Sequence, residues 1–236
     1  MPALAVKARI WRRLLSTVRR DLHVRLPHSR PVLEQMLYAV CRRNCSRDLA
    51  DAAFSRLKSV FSDWNEVRVS AVREVADALA PLPDAFARAE QLIGLLQDVF
   101  ESLYSFDLEG LRNKPSQQAA KQLARWHHAD NFVVAWTLQY ALDTHALPLD
   151  ESTHRVTVRL GLISPDQPLA SAASALQRQV RKDDAPPVYE TLSAMAHQFC
   201  LPEPRCQGCC MRSCCPAAKA LTHASATNLL RRKKPR

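Results

Sequence analysis

Apolar residues recur at intervals of three and four along most of the chain. The stretches are 31–43, 48–61, 67–80, 84–104, 116–126, 131–142, 151–161, 168–181 and 187–200. That spacing gathers apolar side chains on one face of a helix. Prolines punctuate the joints, among them Pro31, Pro81, Pro83, Pro115, Pro148, Pro168 and Pro186. Asp84, Ser116 and Asp130 stand where N-caps are expected, because a short polar side chain can accept a hydrogen bond from the first helical turn. No stretch alternates over six residues as a half-buried strand would. The pattern predicts an all-α fold. Nearer the N-terminus, IWRRLLSTVRRDL is amphipathic at helical spacing and predicts a helix that docks on the body of the protein. No apolar run approaches the ~18 residues of a membrane span, which predicts a soluble protein.

Composition narrows the function. The chain has 236 residues and 47% hydrophobic content, enough for one large or two small domains. It has only 4 glycines, none clustered, so phosphate-cradling loops of the P-loop or dinucleotide type are excluded. The formal net charge is +10, which favours a polyanionic partner. The charge gathers at the ends. Residues 1–30 carry Lys7, Arg9, Arg12, Arg13, Arg19, Arg20, Arg25 and Arg30 against Asp21, and the chain closes on RRKKPR. Residues 216–236 read as a basic tail.

Six of the 8 cysteines crowd into CLPEPRCQGCCMRSCCP. Four of them, Cys200, Cys206, Cys209 and Cys215, give the spacing C-x5-C-x2-C-x5-C. Four thiolates in a short loop suit a [4Fe–4S] cluster. A zinc site is the alternative, since zinc also takes four thiolates. Free thiols are the third reading, and Cys214 stands as a substitute for Cys215. A disulfide knot is disfavoured in a long chain without a recognisable secretory signal. Cys41 and Cys45, one helical turn apart, read as small half-buried residues.

Helix, turn and helix in KQLARWHHADNFVVAWTLQYAL, then LDESTHRVTVRLGLI, then the cysteine run, together resemble the helix–hairpin–helix DNA glycosylases of the endonuclease III family. The resemblance implies a two-lobed fold. A six-helix domain at 33–144 contains the helix–hairpin–helix at about 116–142. A cluster domain is built from 1–32 plus 145–215. It implies a base-excision-repair glycosylase of a divergent bacterial branch, acting as a cytoplasmic, nucleoid-associated monomer on double-stranded DNA. The catalytic carboxylate is then Asp150, with Arg155 five residues on; Asp143 is a weaker rival. Arg43 and Asn44 fall in the turn that supplies a wedge for the flipped base. His127, His128, Asn131 and Arg155 complete the expected DNA contacts.

Two departures sharpen that expectation. The position of the family's lysine nucleophile is Phe132, which cannot attack a sugar. A monofunctional hydrolase without lyase activity is expected. The hairpin also carries His128-Ala129-Asp130 in place of Gly-x-Gly, so Asp130 brings negative charge and a capping side chain to the place of a phosphate. A non-catalytic nucleic-acid-binding relative that keeps fold and cluster is the alternative. His145 and His154 read as surface histidines, Trp126 and Trp136 as core, and Tyr140 as core or pocket wall.

Overall fold

The computed structural model describes residues 2–20 and 29–221, with side chains from residue 6 to residue 17 in the first segment. Most of the basic tail, 222–236, lies outside the described residues, as does Arg25. The described residues form helices and no strand. In order they are α1 (Pro2–Arg20), α2 (Val32–Arg42), α3 (Arg47–Val60), α4 (Trp64–Val69), α5 (Val72–Leu79) and α6 (Ala85–Leu103). Then come α7 (Ser116–Leu123), α8 (Asn131–Tyr140), α9 (Glu151–Arg159), α10 (Leu169–Gln177) and α11 (Ala185–Gln198). No helix among them is long and apolar enough to cross a membrane.

Apolar periodicity foretold most of these spans, with three corrections. The stretch 67–80 is two helices, because the chain turns extended at Ser70 and Ala71. Asp84 precedes α6 in a left-handed conformation and makes no side-chain cap. Ser116 is the first residue of α7, and Pro115 takes the cap position. Asp130 caps α8 as expected, accepting the Val133 N–H at 2.9 Å. Cys41 and Cys45 are fully buried rather than half-buried.

The main helix contacts fall into two sets. In the first, α2 packs on α3, α6 and α8; α6 holds α4 and α5; α7 lies on α8. In the second, α11 packs on α9 and α1, and α9 on α10. Helix α1 docks through Ile10 and Leu14, both fully buried, each contributing roughly 1.5–3 kcal/mol. Its Trp11 indole donates to Gln179, 2.9 Å away.

Buried polar groups tie the two sets together. At the end of α2, Arg42 is 1% exposed and pairs with Glu190 of α11 at 3.0 Å. Its guanidinium also donates to the Cys45 carbonyl and lies 5.4 Å from the centre of the Tyr189 ring. Tyr140 of α8 reaches the other Glu190 oxygen at 3.3 Å. Its ring stacks on Trp136, centroids 4.2 Å apart, so Tyr140 belongs to this packing. Trp126 and Trp136 are core.

A buried ion pair is costly to break on one side, because the remaining charge is stranded. Arg42→Met should lower stability by about 3–5 kcal/mol. The double variant Arg42→Met/Glu190→Met should recover most of that loss, read as denaturation midpoints of both proteins in urea.

Candidate active site

Asp150 sits at the mouth of α9 as its N-cap, in extended conformation. Ser152 and Thr153 follow it, and their polar groups turn back onto one carboxylate oxygen. The Thr153 N–H donates to Oδ1 at 2.8 Å, the Ser152 hydroxyl at 2.9 Å and the Thr153 hydroxyl at 2.7 Å. Oδ2 accepts the Asn44 N–H at 2.9 Å, and the Tyr189 hydroxyl of α11 lies 3.4 Å away. Asp150 is 1% exposed. Burial, followed by the negative charge of Asp150, raises the Tyr189 phenol well above its ordinary value, so it stays a hydrogen-bond donor. His197 of α11 is pushed below its ordinary value, first by burial and then by the Arg42 charge, with Asp150 opposing.

The turn after α2 is fitted to this carboxylate. Asn44 has φ 52°, a left-handed conformation that Asn tolerates better than most residues. It uses its whole amide on α9. Its Nδ2 donates to Glu151 at 2.5 Å, and its Oδ1 accepts the Ser152 N–H at 3.0 Å. Arg88 of α6, nearly buried, fixes the same turn by donating to the carbonyls of Val40 and Arg43.

Asp150 lines a cavity of about 220 Å³ together with Phe132. Phe132 is 5% exposed, with its ring 5.8 Å from Trp136 and 6.1 Å from Tyr189 between centroids. Leu147, Leu149 and α10 supply apolar walls, while Arg43, Asp130, Asn131 and Glu151 stand among its polar lining. The cavity therefore lies where α8, the turn after α2 and the start of α9 meet.

The expected contact residues scatter around it. Arg43 pairs with the Asp130 carboxylate and donates to Gln91 at 2.9 Å. Asn131 is exposed at the start of α8. His127 is exposed, and His128 is held at its partly exposed position by Asp98, which its N–H and Nδ1 reach at 2.9 and 3.0 Å. Arg155 points the other way, donating to the Cys200 carbonyl at 2.9 Å. Asp143 stands outside the cavity, exposed and paired with Lys182 at 2.8 Å. His145 and His154 are half-buried rather than surface residues, and neither lines the cavity.

At the other end of α9, Cys200, Cys206, Cys209 and Cys215 line a single cavity; Cys210 and Cys214 do not. Arg159 borders it and donates to the Cys200 carbonyl and, at 3.4 Å, to the Cys200 Sγ. Burial raises the Cys206 and Cys215 thiols, and neighbouring thiols of the same four add to the shift. Among the described residues no three Cys, His, Asp or Glu side chains converge to hold a single metal ion.

No family model matches the chain. It is 32% identical over 107 residues, 45% of its length, to DNA glycosylase/AP lyase ROS1 of Arabidopsis thaliana. It is 27% identical over 115 residues to DEMETER-like protein 3 of the same plant. The aligned regions span only 8% and 11% of those two proteins. Solved structures match over nearly the whole chain. An endonuclease III trapped as a covalent DNA intermediate is 17% identical with a TM-score of 0.71, covering 92% of this chain and 98% of the other. A thermostable thymine-DNA glycosylase gives 15% and 0.68, covering 93% and 100%. A Helicobacter pylori 3-methyladenine DNA glycosylase gives 13% and 0.59, covering 83% and 97%. The chain has the fold of the helix–hairpin–helix DNA glycosylases. The fold of endonuclease III is among those it matches, and α7, the 124–130 turn and α8 occupy the segment expected to form the hairpin.

Sequence reading missed the partners that hold the hairpin. Gly94 on α6 was the available signal, one of only 4 glycines. A side-chain carbon there would overlap the His128 ring, so glycine lets the hairpin close onto α6. Gly94→Ala should displace His128 from Asp98 and destabilise by about 1–3 kcal/mol, through overpacking. Thermal unfolding and the His128 ring signals in NMR would register both effects.

Proposed function

We propose that the chain is a DNA glycosylase that hydrolyses the N-glycosidic bond of a damaged or mismatched base, with Asp150 as the catalytic carboxylate. One observation carries the reading: Asp150 and Phe132 line the same cavity. A base is out of reach inside a duplex, so it must be extruded into such a pocket. As the bond to the sugar breaks, C1′ gains positive charge, which a fixed carboxylate stabilises. The same carboxylate can accept a proton from the attacking water. The donors around Asp150 fix its orientation before substrate arrives. Phe132 supplies no amine, so the reading includes no Schiff base and no lyase step by that route.

In this reading, double-stranded DNA meets the chain as a monomer in the bacterial cytoplasm, along a face that includes Arg43, Asn44, His127, His128 and Asn131. The +10 charge supports that partner. The two sets of helix contacts support one domain at 33–144, built from the seven helices α2 to α8 where six were expected, and a second domain from 1–32 plus 145–215. Arg155, turned to the Cys200 carbonyl, serves as a brace between α9 and the cysteine loop.

Cys200, Cys206, Cys209 and Cys215 would hold a [4Fe–4S] cluster. Their sharing of one cavity supports this set over one containing Cys214. A single zinc ion at 2.3 Å from each sulfur needs thiolates within about 4 Å of one another. A cluster gives each thiolate its own iron and so accepts a wider spacing of the four sulfurs. The cluster would stiffen the loop that Arg155 and Arg159 tether to α9.

Two measurements test the reading. Wild-type protein should generate abasic sites in duplexes from a panel of damaged bases without being trapped by borohydride. Asp150→Asn should lose at least about 100-fold of that activity. An inert wild type, or an equally active Asn variant, refutes the assignment. Separately, anaerobically purified protein should be brown, with a broad absorbance near ~400 nm that bleaches on reduction and about four irons per chain. A colourless protein with one zinc per chain would replace the cluster by the zinc site.

A further inference from the structure

The lining of the Asp150 cavity bears on which bases it takes. Phe132 offers the one aromatic face, and Leu147, Leu149 and the α10 residues form apolar walls. Its charged members are Arg43, Asp130, Asp150 and Glu151. Arg43 is paired with Asp130, so the charge left over is negative. Among the described residues the lining has no histidine, lysine, tyrosine or cysteine, and Asn131 is its remaining polar side chain. The described lining therefore offers a departing base no imidazole, ammonium, phenol or thiol proton.

A neutral base departs as an anion unless something protonates it or neutralises the charge. A base already carrying positive charge departs as a neutral molecule and needs no acid. We infer that this cavity selects cationic bases, namely purines alkylated on a ring nitrogen, such as 3-methyladenine and 7-methylguanine in DNA. The inference rests on the proposed glycosylase reading and narrows it. A cationic ring over Phe132 is attracted to the π face, and Asp150 and Glu151 add to the attraction. A lysine at position 132 would do the reverse. In the step itself the C1′–N bond breaks and its electron pair moves to the base, cancelling the ring's positive charge. Water oxygen bonds to C1′, and its proton passes to the Asp150 carboxylate and then to solvent.

The test is base release from dimethyl sulfate-methylated DNA and from duplexes containing uracil, hypoxanthine or thymine glycol, each compared with spontaneous loss. Wild-type protein should release 3-methyladenine or 7-methylguanine above spontaneous loss and leave the neutral bases in place. Phe132→Lys should lower that release by about tenfold or more, and Phe132→Leu by several-fold. Should the Lys variant fail to fold, the Leu variant carries the comparison. Neutral bases released as well as cationic ones overturn the inference and leave the glycosylase reading standing. Full release of cationic bases by a folded Phe132→Lys protein also overturns it. If wild-type protein binds abasic duplex yet releases no base of either kind, both readings fall.

Discussion

The carboxylate of Asp150 is the point at which three separate pieces of chain are joined. The turn after α2 reaches it through the Asn44 N–H, α9 through Ser152 and Thr153, and α11 through Tyr189. A buried carboxylate without donors would be strongly destabilising. The surrounding backbone is therefore constrained: Asn44 adopts its left-handed turn, and Arg88 holds the carbonyls before it. Arg42 and Glu190 repeat the principle a short way off, again across the two sets of helices. The cavity beside Asp150 keeps its shape because the walls are tied through these groups.

At position 132 the packing of the core and the proposed chemistry meet in one residue. Phenylalanine there packs with Trp136 and Tyr189 and keeps one face on the cavity. It fills the volume of a long side chain and offers neither an amine nor a positive charge. In the proposed reading, the chemistry runs on a carboxylate and water, and the site favours a base that leaves from a positively charged state.

Helix spans were legible because apolar periodicity is a local property. Asp150 was singled out through the resemblance of LDESTHRVTVRLGLI, whereas its cap with Ser152 and Thr153 is seen in the folded chain. Its remaining donors were not legible: Asn44 lies 106 positions away and Tyr189 39 positions away. Glu190 offered a weak signal, being a lone acid inside the apolar run of α11, and Arg42 looked like one of two surface arginines. The break at Ser70 could not be read, because residues on both sides keep a helical apolar pattern. The contact between His128 and Asp98 depends on where α6 crosses the hairpin, which only the packed chain defines.

The hairpin carries its own anion. Asp130 caps α8, accepting the Val133 N–H, and also binds Arg43. Where a glycine hairpin would meet a phosphate with empty backbone donors, here the donor and the arginine are already engaged. If the proposed DNA face is used, approach of a duplex at this point replaces one negative group by another. Replacement displaces fewer condensed cations from the nucleic acid than neutralising a phosphate with an unpaired arginine. Ionic strength should accordingly weigh less on association through this hairpin than through a glycine-bearing one.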